Sequence, residues 1–390
     1  MSNEKYYQRF LENNPHPRKL KYYSAVNGST DLQLSEQRLV NFSSNDYLGL
    51  SKHPLLIQRS REYAEKWGVG SSSSRLVTGN YDFYNELEDN LAKALHKPAA
   101  LILGSGYQTN ISVLEALLDP VVLGAEPLVF CDRYCHNSLL NMTRHLGRLH
   151  RFPHQDLVFL EKLLQKHQDL SQPKFIIVES LYSMDGDKTD FPALIRLAKK
   201  YQAMLYVDDA HAVGVYGESG WGIAPEFADD IDIIMGTFSK GLGSFGGYIG
   251  CSEVLKDYLI NKCRGLIYST ALSPAVLGAI AGGMEILPEL GQERIELLKK
   301  AEDVREFFYK NNLNIGNSDS HIIPWVIGDA DLTLRISQRL EALGVLGITI
   351  RPPTVPVGMS RIRFCLSVLH GEKEIGYLKE CINVACYCGG

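Results

Sequence analysis

What most restricts the fold of this chain is an alternation of short, apolar, β-branched runs with stretches of helical periodicity. LVFCD (128–132), KFIIVES (174–180), AMLYVDD (203–209) and IDIIMGTF (231–238) read as buried strands, and FPALIRLAKKYQ (191–202) as a helix crossing between two of them. Strands that are apolar throughout need cover on both faces. The pattern therefore implies an α/β protein with a mostly parallel central sheet sandwiched by helices.

From about Ile286 the texture changes. A long charged amphipathic stretch, ERIELLKKAEDVREFFYKN (293–311), precedes HIIPWVIG, a helical LTLRISQRLEAL, the strand-like SRIRFCLSV (360–368) and a closing helix, EKEIGYLKECINVAC. The expected division is an N-terminal arm over 1–44, a large body over 45–285 and a smaller α+β body over 286–390. A chain of 390 residues, 45% hydrophobic, is long enough to bury a large core. Its net charge of -5 argues against a nucleic-acid surface, which needs a concentrated basic face, and favours small-molecule chemistry.

The first residues, MSNEKYYQRFLENNPHPRK, lack the apolar core of a secretory signal, and no later segment stays apolar long enough to span a bilayer. A cytosolic location is expected, and the eight scattered cysteines read as reduced thiols. Cys386 and Cys388, with no second ligand pair beside them, read as helix-end residues instead of a metal site.

Ligands of open parallel sheets bind beyond the carboxyl ends of the strands. Four segments fall there: LGSGYQTN (103–110), ESLYSMDGD (179–187), VDDAHAVG (207–214) and TFSKGLG (237–243). In the first, a strand, a glycine turn and a helix start would aim the amides near Ser105, Gly106 and Tyr107 outward, where phosphate is attracted. In the third, Asp208 and His211 emerge together; a buried charged aspartate needs a cationic partner or several donors.

Lys240 would be a carbonyl trap, an amine that loses its proton readily in a partly dry pocket, with Gly241 and Gly243 leaving room for a flat ring. Alone, a lysine in SKG reads as a loop residue, and a lone histidine as a structural one. GLGSFG (241–246) matches a dinucleotide pattern, but GYIGC after it reads as a strand where a helix is required, so a nicotinamide site is rejected.

Together these features describe a single ligand with an anionic phosphate, a protonated ring nitrogen and an aldehyde, which is pyridoxal 5'-phosphate. His136, just after LVFCD, is suited to stack on its ring.

The order of motifs, NFSSNDYLGL, SGYQTN, CHNS, YSMDGD, VDDAHAVGVYGESGWG, GTFSKGLG, IYSTALSP and IRPPTVPVGMSRIR, resembles the α-oxoamine synthases, fold-type I pyridoxal-phosphate enzymes that join an amino acid to an acyl-CoA. The likeness runs along nearly the whole chain. It implies Lys240 as the lysine joined to the cofactor, Asp208 as partner of the ring nitrogen, His211 and Ser183 on the ring hydroxyl, and His136 stacked on the ring.

It further implies that Thr237 and the amides of Gly106 and Tyr107 hold the phosphate, together with Ser269 and Thr270 from a neighbouring subunit, and hence a homodimer with shared sites. Arg363 would clamp the amino-acid carboxylate, with Arg361 the competitor and Asn45 nearby. The sequence departs from many relatives at Tyr84, where they have histidine, and in its serine-rich GSSSSR, which bears on acyl-chain contacts. Family members that use glycine or serine, an aminotransferase and a catalytically silent subunit stay open as alternatives.

Overall fold

The computed structural model describes residues 4–13, 20–26, 31–146 and 148–387. Its centre is a seven-stranded sheet made of β1 (Ala99–Leu103), β2 (Leu128–Asp132), β3 (Arg148–Phe152), β4 (Lys174–Glu179), β5 (Ala203–Asp208), β6 (Ile233–Thr237) and β7 (Gly247–Cys251). The strand order is β1-β7-β6-β5-β4-β2-β3. Strands β3, β2, β4, β5 and β6 run parallel, and β7 runs antiparallel to both of its neighbours.

Every residue of β2, β4 and β6 is buried, as expected for strands covered on both faces. GLGSFG leads into β7, a strand, which gives that segment no helix N-terminus of the kind that receives a pyrophosphate.

Helix termini are fixed by short polar side chains. Ser105 caps α1 (Gly106–Leu117) by accepting from the Gln108 amide at 3.2 Å, and Asp190 caps α2 (Phe191–Lys200) through the Ala193 amide at 3.0 Å. The apolar face of α2, Phe191, Leu194, Ile195 and Ala198, lies in the core that covers the sheet.

Beyond it, α3 (Gly291–Lys310), α4 (Ala330–Ala342) and α5 (Glu372–Tyr387) pack on an antiparallel sheet ordered β8 (Ile322–Gly328), β10 (Ser360–Cys365), β9 (Ile348–Ile350). The segment Gln37–Asn41 pairs with Val345–Leu346, and Phe42 and Tyr47 enter the same apolar cluster. Asn45 is thereby anchored beside β10. Cys386 lies in α5, whereas Cys388 is outside the described residues. Among the described residues no helix is long and apolar enough to cross a membrane, and no group of side chains could hold a metal ion.

Candidate active site

At the carboxyl ends of β2, β4, β5 and β6 lies a chamber of about 360 Å³. It brings together Asn45, Gly106, Tyr107, His136, Ser183, Asp208, His211, Thr237, Lys240 and Arg363, with Asn110, Ser138, Glu179 and Ser239 between them. Gly106 and Tyr107 stand at the N-terminus of α1, where free amides and the helix dipole favour an anion. Thr237 ends β6; its hydroxyl donates to the Gly246 carbonyl at 2.7 Å and lies 2.8 Å from the Ser239 hydroxyl.

Asp208 is buried. Its carboxylate accepts from the Ala210 amide at 3.0 Å and from Asn110 Nδ2 at 2.7 Å. Asn110 is held in turn by the Tyr206 hydroxyl at 2.7 Å and donates to Ser138 Oγ, which lies 2.8 Å from His136 Nδ1. These contacts tie Asp208, Asn110, Ser138 and His136 into one network.

A second network joins His211 Nδ1 to the Tyr47 hydroxyl at 2.7 Å, Tyr47 to Asn45 Oδ1 at 3.2 Å, and Asn45 Oδ1 to Arg363 Nη2 at 3.2 Å. Burial, reinforced by the charge of Lys240, drives His211 well below the ordinary histidine range, so the ring is neutral. Burial likewise brings the Lys240 amine down to about 8, against the opposing pull of Asp208 and Glu179.

Glu179 escaped the sequence reading. It ends β4 directly across from Asp208 on β5, and two backbone amides donate to it: His136 N–H at Oε1 and Ser183 N–H at Oε2, 3.1 Å away. Burial and then the neighbouring Asp208 charge push its carboxyl up to about 8. The signal was its place, the last residue of an apolar strand, but one acid there looks like any strand terminus.

Two expectations need correction. Arg361 does not line the chamber: it is fully buried and its Nη1 donates to Asp185 Oδ1 at 2.6 Å, so Arg363 alone of the pair faces the ligand space. Nor do Gly241 and Gly243 make room for a ring. A Cβ on Gly241 would lie 2.4 Å from the Val213 carbonyl oxygen, and one on Gly243, at φ +62°, 2.3 Å from the Ser51 nitrogen. They let the lysine loop press against neighbouring backbone.

Ser269 and Thr270 do not reach the chamber of their own chain. They border a narrow cleft with Arg75 and Tyr84, and Thr270 bridges to Ser74. Tyr84 is buried beneath the Arg75 guanidinium, 4.0 Å from its ring centroid, and lines neither the chamber nor the cavity beside it.

The chemistry of the donor set fits pyridoxal phosphate. An amine with an accessible neutral form, a buried carboxylate whose protein partners are neutral donors, and helix-terminal amides surround one space. Arg363 Nε is buried there without a hydrogen-bond partner, a donor left for a further anion. A parallel sheet carrying this set at its strand ends defines a fold-type I pyridoxal-phosphate enzyme.

Residues 37–382 match the family Aminotransferase class I and II. The 8-amino-7-oxononanoate synthase of Gluconacetobacter diazotrophicus is 44% identical over 350 residues, 89% of this chain and 88% of that protein. A Paramagnetospirillum magneticum protein, provisionally given the same name, is 48% identical over 90% of this chain and 89% of its own length. The fold is shared with Sphingomonas wittichii serine palmitoyltransferase (TM-score 0.89, 24% identity, 98% and 96% of the two chains) and with 8-amino-7-oxononanoate synthase from Francisella tularensis (TM-score 0.75, 24% identity, 90% and 98%). The chain belongs to the aminotransferase class I and II family and, within it, to the α-oxoamine synthases, acyltransferases whose cofactor is pyridoxal 5'-phosphate.

Proposed function

We propose that this protein catalyses the decarboxylative condensation of L-alanine with a pimeloyl thioester, carried on CoA or on a carrier protein, to 8-amino-7-oxononanoate, the reaction that serves biotin synthesis. The supporting observation is the single chamber that sets a lysine with a pKa of about 8 beside Asp208, His211 and Arg363. The identity of 44% to a protein named for this product supports the choice of substrates.

Bound pyridoxal phosphate supplies an electron sink that lets an amino acid joined to it shed its α-proton and later carbon dioxide. Gly106, Tyr107 and Thr237 would hold the phosphate, Asp208 would keep the ring nitrogen protonated, and His136 would cover one face of the ring. His211, neutral and fixed by Tyr47, and Ser183 would bond the ring hydroxyl.

Arg363, oriented by Asn45, would grip the alanine carboxylate through two parallel N–H bonds. The Lys240 Nζ, released from the cofactor, would accept the α-proton, a task suited to a base whose pKa is near the working pH. The acyl group would then bond to the α-carbon as thiol leaves, and Lys240 would return a proton after carbon dioxide departs.

We assign the functional unit as a cytosolic homodimer in which Ser269 and Thr270 complete the partner's phosphate site.

The test is Lys240→Ala. Condensation, followed by thiol release, should vanish, while cofactor binding, followed by quenching of protein fluorescence, should persist through the phosphate and ring contacts. Turnover at the wild-type rate would refute the assignment. On wild-type protein, absorbance titrations with alanine, glycine and serine, each followed by pimeloyl-CoA, would identify the amino acid used.

A further inference from the structure

Beside the cofactor chamber lies a second cavity of about 480 Å³, and the two share His136, Ser183 and Met184 as a common wall. Its apolar lining includes Leu140, Met184 and Val355. Arg133 and Arg151, both exposed, line it as well. Arg151 Nη2 donates to the Arg133 carbonyl at 2.6 Å, and among the described residues neither guanidinium is in an ion pair.

The acid that lines this cavity, Asp185, is already committed to the buried Arg361 at 2.6 Å. Two other acids close by, Asp132 and Asp187, are held by His154 at 3.1 and 3.0 Å. The cavity therefore combines apolar residues, next to the reacting chamber, with two exposed guanidinium groups outside any ion pair among the described residues. Such a combination suits a short hydrocarbon chain that ends in an anion.

We propose that Arg133 and Arg151 form the anion site that selects an acyl donor bearing a carboxylate at the end of its chain. This rests on the reading of the protein as an acyl-thioester condensing enzyme and adds what that reading lacks, the group that distinguishes a dicarboxylic half-thioester from a simple fatty one. The apolar lining accommodates the methylenes, and the guanidinium pair supplies forked donors at the far end. The phosphates of a CoA nucleotide have the same charge, so the experiment must separate the two sources.

Arg133→Gln, Arg151→Gln and the double variant, all loaded with cofactor, would be compared with wild type in calorimetric binding of pimeloyl-CoA, octanoyl-CoA and pimeloyl-pantetheine. The double variant should bind both pimeloyl thioesters about 10- to 100-fold more weakly, the loss expected for hydrogen bonds to a charged group, with octanoyl-CoA unaffected. Arg133→Lys should recover part of the loss, and the absorbance change on adding alanine should be unaltered, which reports an intact site.

Equal weakening of both CoA thioesters with none for pimeloyl-pantetheine would assign the arginines to the nucleotide and overturn the proposal. Unchanged binding of all three would overturn it as well. If wild type bound pimeloyl-CoA through these arginines yet condensed it with no amino acid, the condensation reading would fail and the anion site would stand.

Discussion

Arg361 and Arg363 sit two residues apart on one strand, carry the same guanidinium and are both buried. Each keeps one buried nitrogen without a partner, but their surroundings separate them: one meets the Asp185 carboxylate, and the other reaches Asn45 and lines the chamber. Strand alternation puts both on the same face, so no local pattern could have told them apart. Replacing Arg363 by lysine keeps the charge but removes the fork, and should raise KM for alanine about 10-fold or more with the cofactor absorbance unchanged. Steady-state kinetics against alanine at saturating donor would show it, and an unaltered KM would count against the carboxylate role. Lys240, Asp208 and His211 were legible because each stands in a short glycine- or alanine-flanked motif at a strand end. Glu179 was not, because its importance lies in two amides contributed by other segments.

At the level of elements, the loop after β4 is pinned to the ends of β2 and β3 by His154. Its Nδ1 lies 3.1 Å from Asp132 and its Nε2 3.0 Å from Asp187, both buried carboxylates, and Tyr134 and Tyr182 cover the ring. A singly protonated imidazole has one N–H and could satisfy only one of the two acids, so this geometry calls for the imidazolium. The carboxylates outweigh the cost of burial and raise its pKa to about 10. Because the folded value exceeds the unfolded one of about 6.5, the contribution is complete below pH 6.5 and disappears as pH rises through 10. His154→Gln should lower stability by about 3 kcal/mol near neutrality, the cost of breaking a buried ion pair. Thermal denaturation from pH 6 to 10 should show the gap from wild type narrowing with pH; parallel curves would contradict the linkage. The parallel strands and the crossover helix were readable from apolar runs and periodicity, whereas this three-segment junction depends on residues up to 55 positions apart that only the folded sheet brings together.

For the whole molecule, one chain gathers Lys240, Asp208, His211 and Arg363 around one chamber but keeps Ser269 and Thr270 in a separate cleft. If the second subunit supplies those hydroxyls, mixing Lys240→Ala protein with a Ser269→Ala, Thr270→Ala double variant should restore activity that neither has alone. Random re-pairing makes half of the dimers hybrid, each with one undamaged site, so recovery should approach roughly a quarter of the wild-type rate. No recovery after subunit exchange, verified by differently tagged chains, would argue for sites completed within one chain. The sequence could suggest this arrangement only through family likeness, since nothing in the spacing of IYSTALSP says which copy it serves. The tight seating of Gly241 against Val213 and Gly214, and of Gly243 against Leu50 and Ser51, has a mechanical corollary. The backbone that follows the lysine is wedged between two neighbouring segments, so any travel of its amine must come from rotation about its own four methylenes, a swinging arm on a stationary shoulder.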